Sequence, residues 1–178
     1  MKKMIVTIVI AVVLVFLGIG SYNASKLQEI HIQKTVTVNA DIETVYNNVA
    51  YLSNFPKWSP FLEADPTQKT EVKGTDGQIG AQYHWVGNKG KDVGYQEITR
   101  IEANKYVKME CDIQKPFKAQ PTFEYTFEQN NETVTVTQDF NLKSGFVDAF
   151  FMGLFGAKKE MDKVNARGME LLKKVSEE

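Results

Sequence analysis

The sequence predicts an α+β fold: a curved antiparallel sheet of about six or seven strands around one long C-terminal helix, with an apolar helix ahead of it. Three observations predict this. Polarity alternates with period two from Glu29 to Val38, and again from Lys69 almost to Asn141. Apolar residues recur every three or four positions from Phe150 to Val175. Met4 to Gly20 is apolar except for Thr7.

That first run, about 17 residues, reaches the short end of the roughly 17–25 needed to cross a bilayer. It exceeds the roughly 7–15 of a secretory apolar region. A cut after Ala24 places Tyr22 three residues back, where cleavage wants a small side chain; a cut after Gly20, with Gly18 behind it, is the alternative. Residues 1–24 therefore read as an uncleaved signal anchor, with secretion after cleavage as the other outcome. Lys2 and Lys3 precede the run, and positive charge stays inside, so the domain at 25–178 is expected outside the cytoplasm. Ser21 to Gln28 then forms a tether of at most about 28 Å if extended.

The domain opens with a strand at Glu29–Val38, whose Ile30, Ile32, Val36 and Val38 share one face. Asn39 offers an N-cap, and Ile42, Val45, Tyr46 and Val49 form the stripe of a short helix. A second short helix or turn runs to Asn54, before Pro56, Pro60 and Pro66 impose irregular backbone. Strands are expected at Lys69–Val72, Ile79–Val86, Val93–Ile101, Lys105–Ile113, Thr122–Glu128 and Thr133–Phe140, joined mostly by short turns. The stripe Phe150, Leu154, Ala157, Met161, Val164, Gly168, Leu171 and Val175 predicts one closing helix of about 28 residues, or about 42 Å.

Composition narrows the function. Of the chain's 21 basic residues, 19 lie outside the leader against 22 acidic ones, a net of −3 that argues against a nucleic-acid partner. Cys111 is the single cysteine, which excludes an internal disulfide and a cysteine-built zinc site. His31 and His84 are the only histidines, too few for a histidine metal centre, and no spacing pairs either with a nucleophile. No metal or cofactor is expected.

Strand, two short helices, a six-strand meander and a long helix form a recognisable order. The chain resembles the START-like, helix-grip (SRPBCC) superfamily, in its polyketide cyclase/dehydrase and lipid-transport branch. The likeness rests on Val38–Tyr46, on Phe55-Pro56-Lys57-Trp58-Ser59-Pro60-Phe61, on Gly80 through Trp85 to Gly87-Asn88, and on Arg167–Lys173. The resemblance implies a cavity between sheet and helix that takes lipids, polyketides or other apolar molecules. Some members are cyclases. No catalytic residue carries over, because no member's catalytic pattern matches residue by residue.

Alternation places Met109 and Cys111, Phe123, Tyr125 and Phe127, and Gln138 on the concave face, with Gln96 in phase beside Ile98. They read either as packed core or as cavity wall. Tyr125, Gln138 and Gln96 favour a wall, since a solid core has to satisfy their polar groups. Tyr83 and Trp85 share one strand face, and Trp58, in a proline-framed loop, is expected half-exposed as a gate. Phe146, Phe150, Phe151, Met152, Leu154 and Phe155 cover more of a helix than one stripe needs and read as an apolar lip at the cavity mouth. The expected ligand-binding set is therefore Trp58, Tyr83, Trp85, Gln96, Met109, Phe123, Tyr125, Phe127, Gln138, Phe146 and Phe150. The function expected is membrane-anchored binding of an apolar small molecule or lipid. A cyclase or dehydratase, or a ligand-free envelope interaction module, is the alternative.

Overall fold

A computed structural model describes residues 2–178. Seven antiparallel strands, β1 (Glu29–Val38), β2 (Lys69–Lys73), β3 (Gln82–Gly87), β4 (Asp92–Glu102), β5 (Tyr106–Lys115), β6 (Thr122–Asn130) and β7 (Thr133–Lys143), form one sheet in the order β1-β7-β6-β5-β4-β3-β2. Each strand from β2 to β7 pairs with the next, as a meander of short turns requires. β1 joins beside β7, with Ile32 opposite Phe140 and Val36 opposite Val136. The β4–β5 ladder shifts register at Val93/Gly94 and at Ile98/Arg100. Such irregularities bend a strand, and here they fall in the middle of the sheet that curls around the core.

Between β1 and β2 lie α2 (Ile42–Ala50), a 3₁₀ turn at Leu52–Lys57 and α3 (Pro60–Ala64). The N-cap of α2 is Asp41 rather than the expected Asn39: its carboxylate accepts from the Thr44 amide at 2.9 Å and from the Thr44 hydroxyl at 2.6 Å. The second acceptor oxygen lets aspartate satisfy both donors at once. Ser59 caps α3, with Pro60 in its first turn. The strand expected from Ile79 begins only at Gln82, because Gly77 and Gly80 take positive φ and turn the chain, leaving Ile79 exposed.

The C-terminal helix is broken. α4 (Phe146–Leu154) and α5 (Ala157–Ser176) meet at Gly156, whose φ of 65° ends one helix and starts the other. The apolar period runs on across the break, so periodicity alone predicts one helix; the glycine is the stop signal it overlooks. The long helix, α5, buries Asn165, Gly168, Met169, Leu172 and Ser176. That face is turned by about one residue from the expected stripe, and Met161, Val164, Leu171 and Val175 are half-buried on its shoulder.

The leader forms α1 (Lys2–Leu27), long and apolar enough to cross a membrane or to act as a signal sequence. It stays helical through Leu27, two residues before β1. The expected extended tether is thus a continuation of the helix, and Ser21 to Leu27 spans about 10 Å at the helical rise. The main core unites Val45, Val49, Leu52, Val107, Val136 and Leu172 between sheet, α2 and α5. A second cluster, Ile30, Ile32, Phe140 and Leu142, joins Leu27, Met152 and Met161 at the end of the sheet next to α1 and α4.

Candidate ligand-binding site

Between the concave sheet face and α5 the core is not filled. A cavity of about 360 Å³ runs from Trp58 and Tyr83 at one end to Leu142 and Met161 at the other. It falls at the small end of the ~300–1,000 Å³ range of small-molecule sites. The strands supply its wall through alternate residues: Tyr83 and Trp85 from β3, Gln96 from β4, Cys111 and Ile113 from β5, Phe123 and Tyr125 from β6, Gln138 and Phe140 from β7. α5 supplies Val164, Asn165 and Gly168. Phe61 of α3 and Phe117 of the β5–β6 connection, each about half-exposed, also line it and mark its open side.

Seven of the eleven residues expected from sequence line this space together: Trp58, Tyr83, Trp85, Gln96, Phe123, Tyr125 and Gln138. Four do not. Met109 and Phe127 are buried in the main core instead of lining the void; Phe127 sits where α2 packs on β6, edge-on to Tyr46 at 5.6 Å. Phe146 and Phe150 belong to α4 and lie outside the lining; Phe150 packs on α1, edge-on to Phe16 at 6.3 Å. Trp58 is no half-exposed gate. It is 2% exposed, its Nε1 donates to the Asn48 carbonyl at 2.8 Å, and Phe55 and Tyr125 meet it edge to face. The fixed indole forms a wall.

Sequence reasoning missed Phe55, Phe61, Phe117 and Asn165. Phe55 and Phe61 are the two ends of the Phe55–Phe61 segment already singled out, and Asn165 was detectable as a polar residue one turn before Gly168 on the helix. Nothing local marked Phe117.

The polar groups in this apolar space are poorly matched. Gln138 Nε2 donates to Tyr125 Oη at 2.8 Å, directly across β6–β7. Gln138 Oε1, Gln96 Nε2, Asn165 Oδ1 and Tyr83 Oη are buried without a hydrogen-bond partner among the described residues. A buried unpaired polar atom costs on the order of 1–3 kcal/mol. Four around one cavity is a concentration that packing does not explain. Burial pushes the Tyr125 phenol far above its ordinary value, with Gln138 opposing, and raises Tyr83, where Thr70 opposes without reaching hydrogen-bond geometry. Burial likewise drives the Cys111 thiol up to about 12, so it is a protonated, inert wall group at neutral pH.

The charged residues stand at the edge. Asp92 accepts from Trp85 Nε1 at 3.0 Å, holding the indole over Gly94. Glu63 of α3 takes a two-pronged bond from Arg167 of α5, Nε at 2.9 Å and Nη2 at 2.7 Å, which ties the Pro60–Phe61 side of the opening to the helix. Both histidines lie outside the lining. His84 bonds Gln82 and stacks on Tyr95, and His31 bonds Asp139 at 2.7 Å on an exposed face. Among the described residues no group of three or more His, Cys, Asp or Glu side chains is placed to hold a metal.

A seven-stranded sheet gripping a long C-terminal helix around an apolar cavity matches a known family. Residues 29–177 match the profile described as polyketide cyclase/dehydrase and lipid transport. The chain belongs to that family. Its fold is the START-like helix grip, and solved structures repeat it. Protein CV1439 from Chromobacterium violaceum is similar at 10% identity and a TM-score of 0.62, over 83% of this chain and 98% of that one. The Aha1 dimer from Colwellia psychrerythraea is similar at 16% identity and 0.58, over 83% and 96%. A protein from Arthrobacter aurescens is similar at 15% identity and 0.56, over 84% and 88%. At such identities the likeness shows the fold alone. No curated protein sequence matches this chain. The shares of this chain that are covered leave room for α1 outside the common fold.

Proposed function

We propose that this domain binds an apolar small molecule or a single lipid tail in the cavity between sheet and α5, and does so at a membrane, with α1 as the anchor. The observation that carries the reading is an apolar cavity whose wall residues Tyr83, Gln96, Gln138 and Asn165 hold buried polar atoms without partners. Gln138 Oε1 and Asn165 Oδ1 call for a donor, and Gln96 Nε2 for an acceptor. A hydroxyl or a neutral amide on the ligand answers both. The inner polar groups are all uncharged, so a neutral oxygen-bearing amphiphile suits the site better than an ion. Burial of its apolar part supplies the affinity, at about 25 cal/mol per Å².

The cavity volume fits one chain or one compact ring system rather than a whole two-chain phospholipid. A cyclase or dehydratase, the other activity in the family's description, needs an acid or base beside its substrate. Here both histidines lie outside the cavity lining, and the two carboxylates that line it are engaged, Asp92 by the Trp85 indole and Glu160 by Lys163. The binding reading therefore stands ahead of it.

The test is native mass spectrometry of the full chain released from lipid nanodiscs, wild type against Val164→Trp, which fills the cavity. A discrete added mass on the wild type that disappears in the variant supports the reading, and extraction then names the ligand. An added mass kept by Val164→Trp overturns the cavity as the site. A bare wild-type mass overturns a tight carrier.

A further inference from the structure

α4 carries the most exposed large apolar side chains of the domain. Outside α1, Phe155 at its end (79% exposed) and Val147 (65%) exceed every other, and Phe146, Phe151 and Leu154 are also open. This surface does not line the cavity. It belongs to a helix that rests on α1: the Phe150 ring occupies the space a side chain on Gly20 would take, and meets Phe16 edge to face at 6.3 Å. Gly153 sits against Leu27 and Asn23. Gly20 and Ala24 are the buried residues of α1, in the stretch that α4 covers.

The depth of this contact follows from α1. A hydrocarbon layer of about 30 Å takes about 20 helical residues. Counted from Lys3, it ends near Asn23. Tyr22 and Lys26 then fall at the headgroup level, where such residues gather, and the Lys26 ammonium lies 4.3 Å above the Tyr22 ring. Gly20 lies about 5 Å inside the layer and Phe16 about 10 Å inside, at about 1.5 Å per residue. Phe150 touches both.

We propose that α4 is a second lipid-immersed element, sunk beside α1 into the bilayer leaflet nearest the domain, with Val147, Phe151 and Phe155 against acyl chains. This rests on the reading of α1 as a membrane anchor. The occupant of the apolar surface is the bilayer itself, because the neighbouring face of the same helix, through Phe150, already reaches residues of the span. The charges agree with that depth. Asp148 is the single charged residue of α4 and lies in its first turn. The Ser144 amide bonds the Gln28 carbonyl at 2.9 Å, so the helix starts at the level where α1 ends and the Asp148 carboxylate stays near the headgroups. Lys158 and Lys159, both exposed in the first turn of α5, line one surface depression with Leu27 at the end of α1. Met152 connects this element to the cavity: it packs in the cluster with Phe140, Leu142 and Met161, which are also cavity wall. One layer of side chains then separates the cavity from the lipid-facing helix.

The experiment labels single cysteines with a bimane fluorophore in the full chain reconstituted in phosphatidylcholine vesicles; Cys111, buried, stays in place. Labels go on Ile8→Cys in the anchor, on Val147→Cys, Phe151→Cys and Phe155→Cys in α4, and on Glu132→Cys in the β6–β7 turn. Quenching is read at each by lipids carrying a nitroxide near the top of the acyl chain and, separately, by lipids carrying one at mid-chain. The expected result is quenching at 147, 151 and 155 at least threefold stronger than at 132, with strong quenching at 8 by mid-chain nitroxide. Quenching at 8 with 147, 151 and 155 no different from 132 overturns the proposal and leaves the anchor standing. Absence of quenching at 8 overturns the anchor reading, and this proposal with it.

Discussion

Tyr125 and Gln138 stand directly opposite each other on β6 and β7, and the amide of one donates to the phenol oxygen of the other at 2.8 Å, both side chains buried. The pair is half a network. It satisfies the tyrosine and leaves the Gln138 carbonyl oxygen buried without a partner in the cavity wall. A stable apo core gains nothing from this arrangement; a ligand with a donor does.

The pair gives the first prediction. Tyr125→Phe removes the partner of Gln138 Nε2, and Gln138→Leu removes that of Tyr125. Each single variant is expected to lose about 1–2 kcal/mol in chemical denaturation, since each leaves a buried polar group alone. The double variant is expected to lose less than the sum of the two, by about 1 kcal/mol or more. Strict additivity would show that the two groups do not act as a unit.

Gly94 is the second. A Cβ there meets the Trp85 ring at 2.5 Å and the Asp112 carbonyl at 2.6 Å, and the second contact is backbone that does not yield. Gly94→Val is expected to destabilise the fold by about 2–3 kcal/mol. It also expels Trp85 from its place over β4. The readout is the melting temperature together with a red-shifted tryptophan emission, and an unshifted spectrum would contradict the packing.

Third, Cys111 reports on the cavity. Its thiol is raised to about 12 by burial, so at pH 8 the native chain is expected to react with a disulfide reagent far more slowly than the unfolded chain. The sign for stability follows from the unfolded thiol ionising first, near 9, while the folded one stays protonated. Its contribution is therefore whole below about pH 9 and is lost progressively as pH rises toward 12. A native reactivity equal to the unfolded one would mean that the thiol is not enclosed.

Fourth, the Arg167–Glu63 bond ties α3 to α5 beside the opening. Both side chains are about half-exposed, so Arg167→Ala is expected to cost less than about 1 kcal/mol of stability. Its larger effect falls on exchange. Release of a bound apolar probe is expected to quicken several-fold, and high salt to mimic this in the wild type. A variant with unchanged release and unchanged salt dependence would remove the bond from the gating of the opening.

Strand positions and face assignments were legible because burial on one side imposes a period of two: the inward phase of Val107, Met109 and Cys111 and of Val134, Val136 and Gln138 is the phase the structure buries. The same logic failed along the strand. Met109 and Phe127 share the inward phase with cavity residues but fall in the filled core, Phe127 under Tyr46 of α2, and alternation carries no information about which part of a face is filled. Trp58 failed for a related reason. A proline-framed loop looks exposed in sequence, whereas the Asn48 carbonyl, ten residues away, holds the indole inside.

Spacing between near neighbours in the chain specifies the order of elements, the sheet and its two faces, the apolar α1 and the presence of a long amphipathic closing helix. Three things follow from packing alone: where the core stays hollow, that four residues of its wall hold buried polar atoms without partners, and that Phe150 lies on Gly20 instead of at the cavity mouth. These depend on pairs more than ten residues apart, most of them far more. Periodicity says which way a side chain points, and only the packed chain fixes what, if anything, it meets.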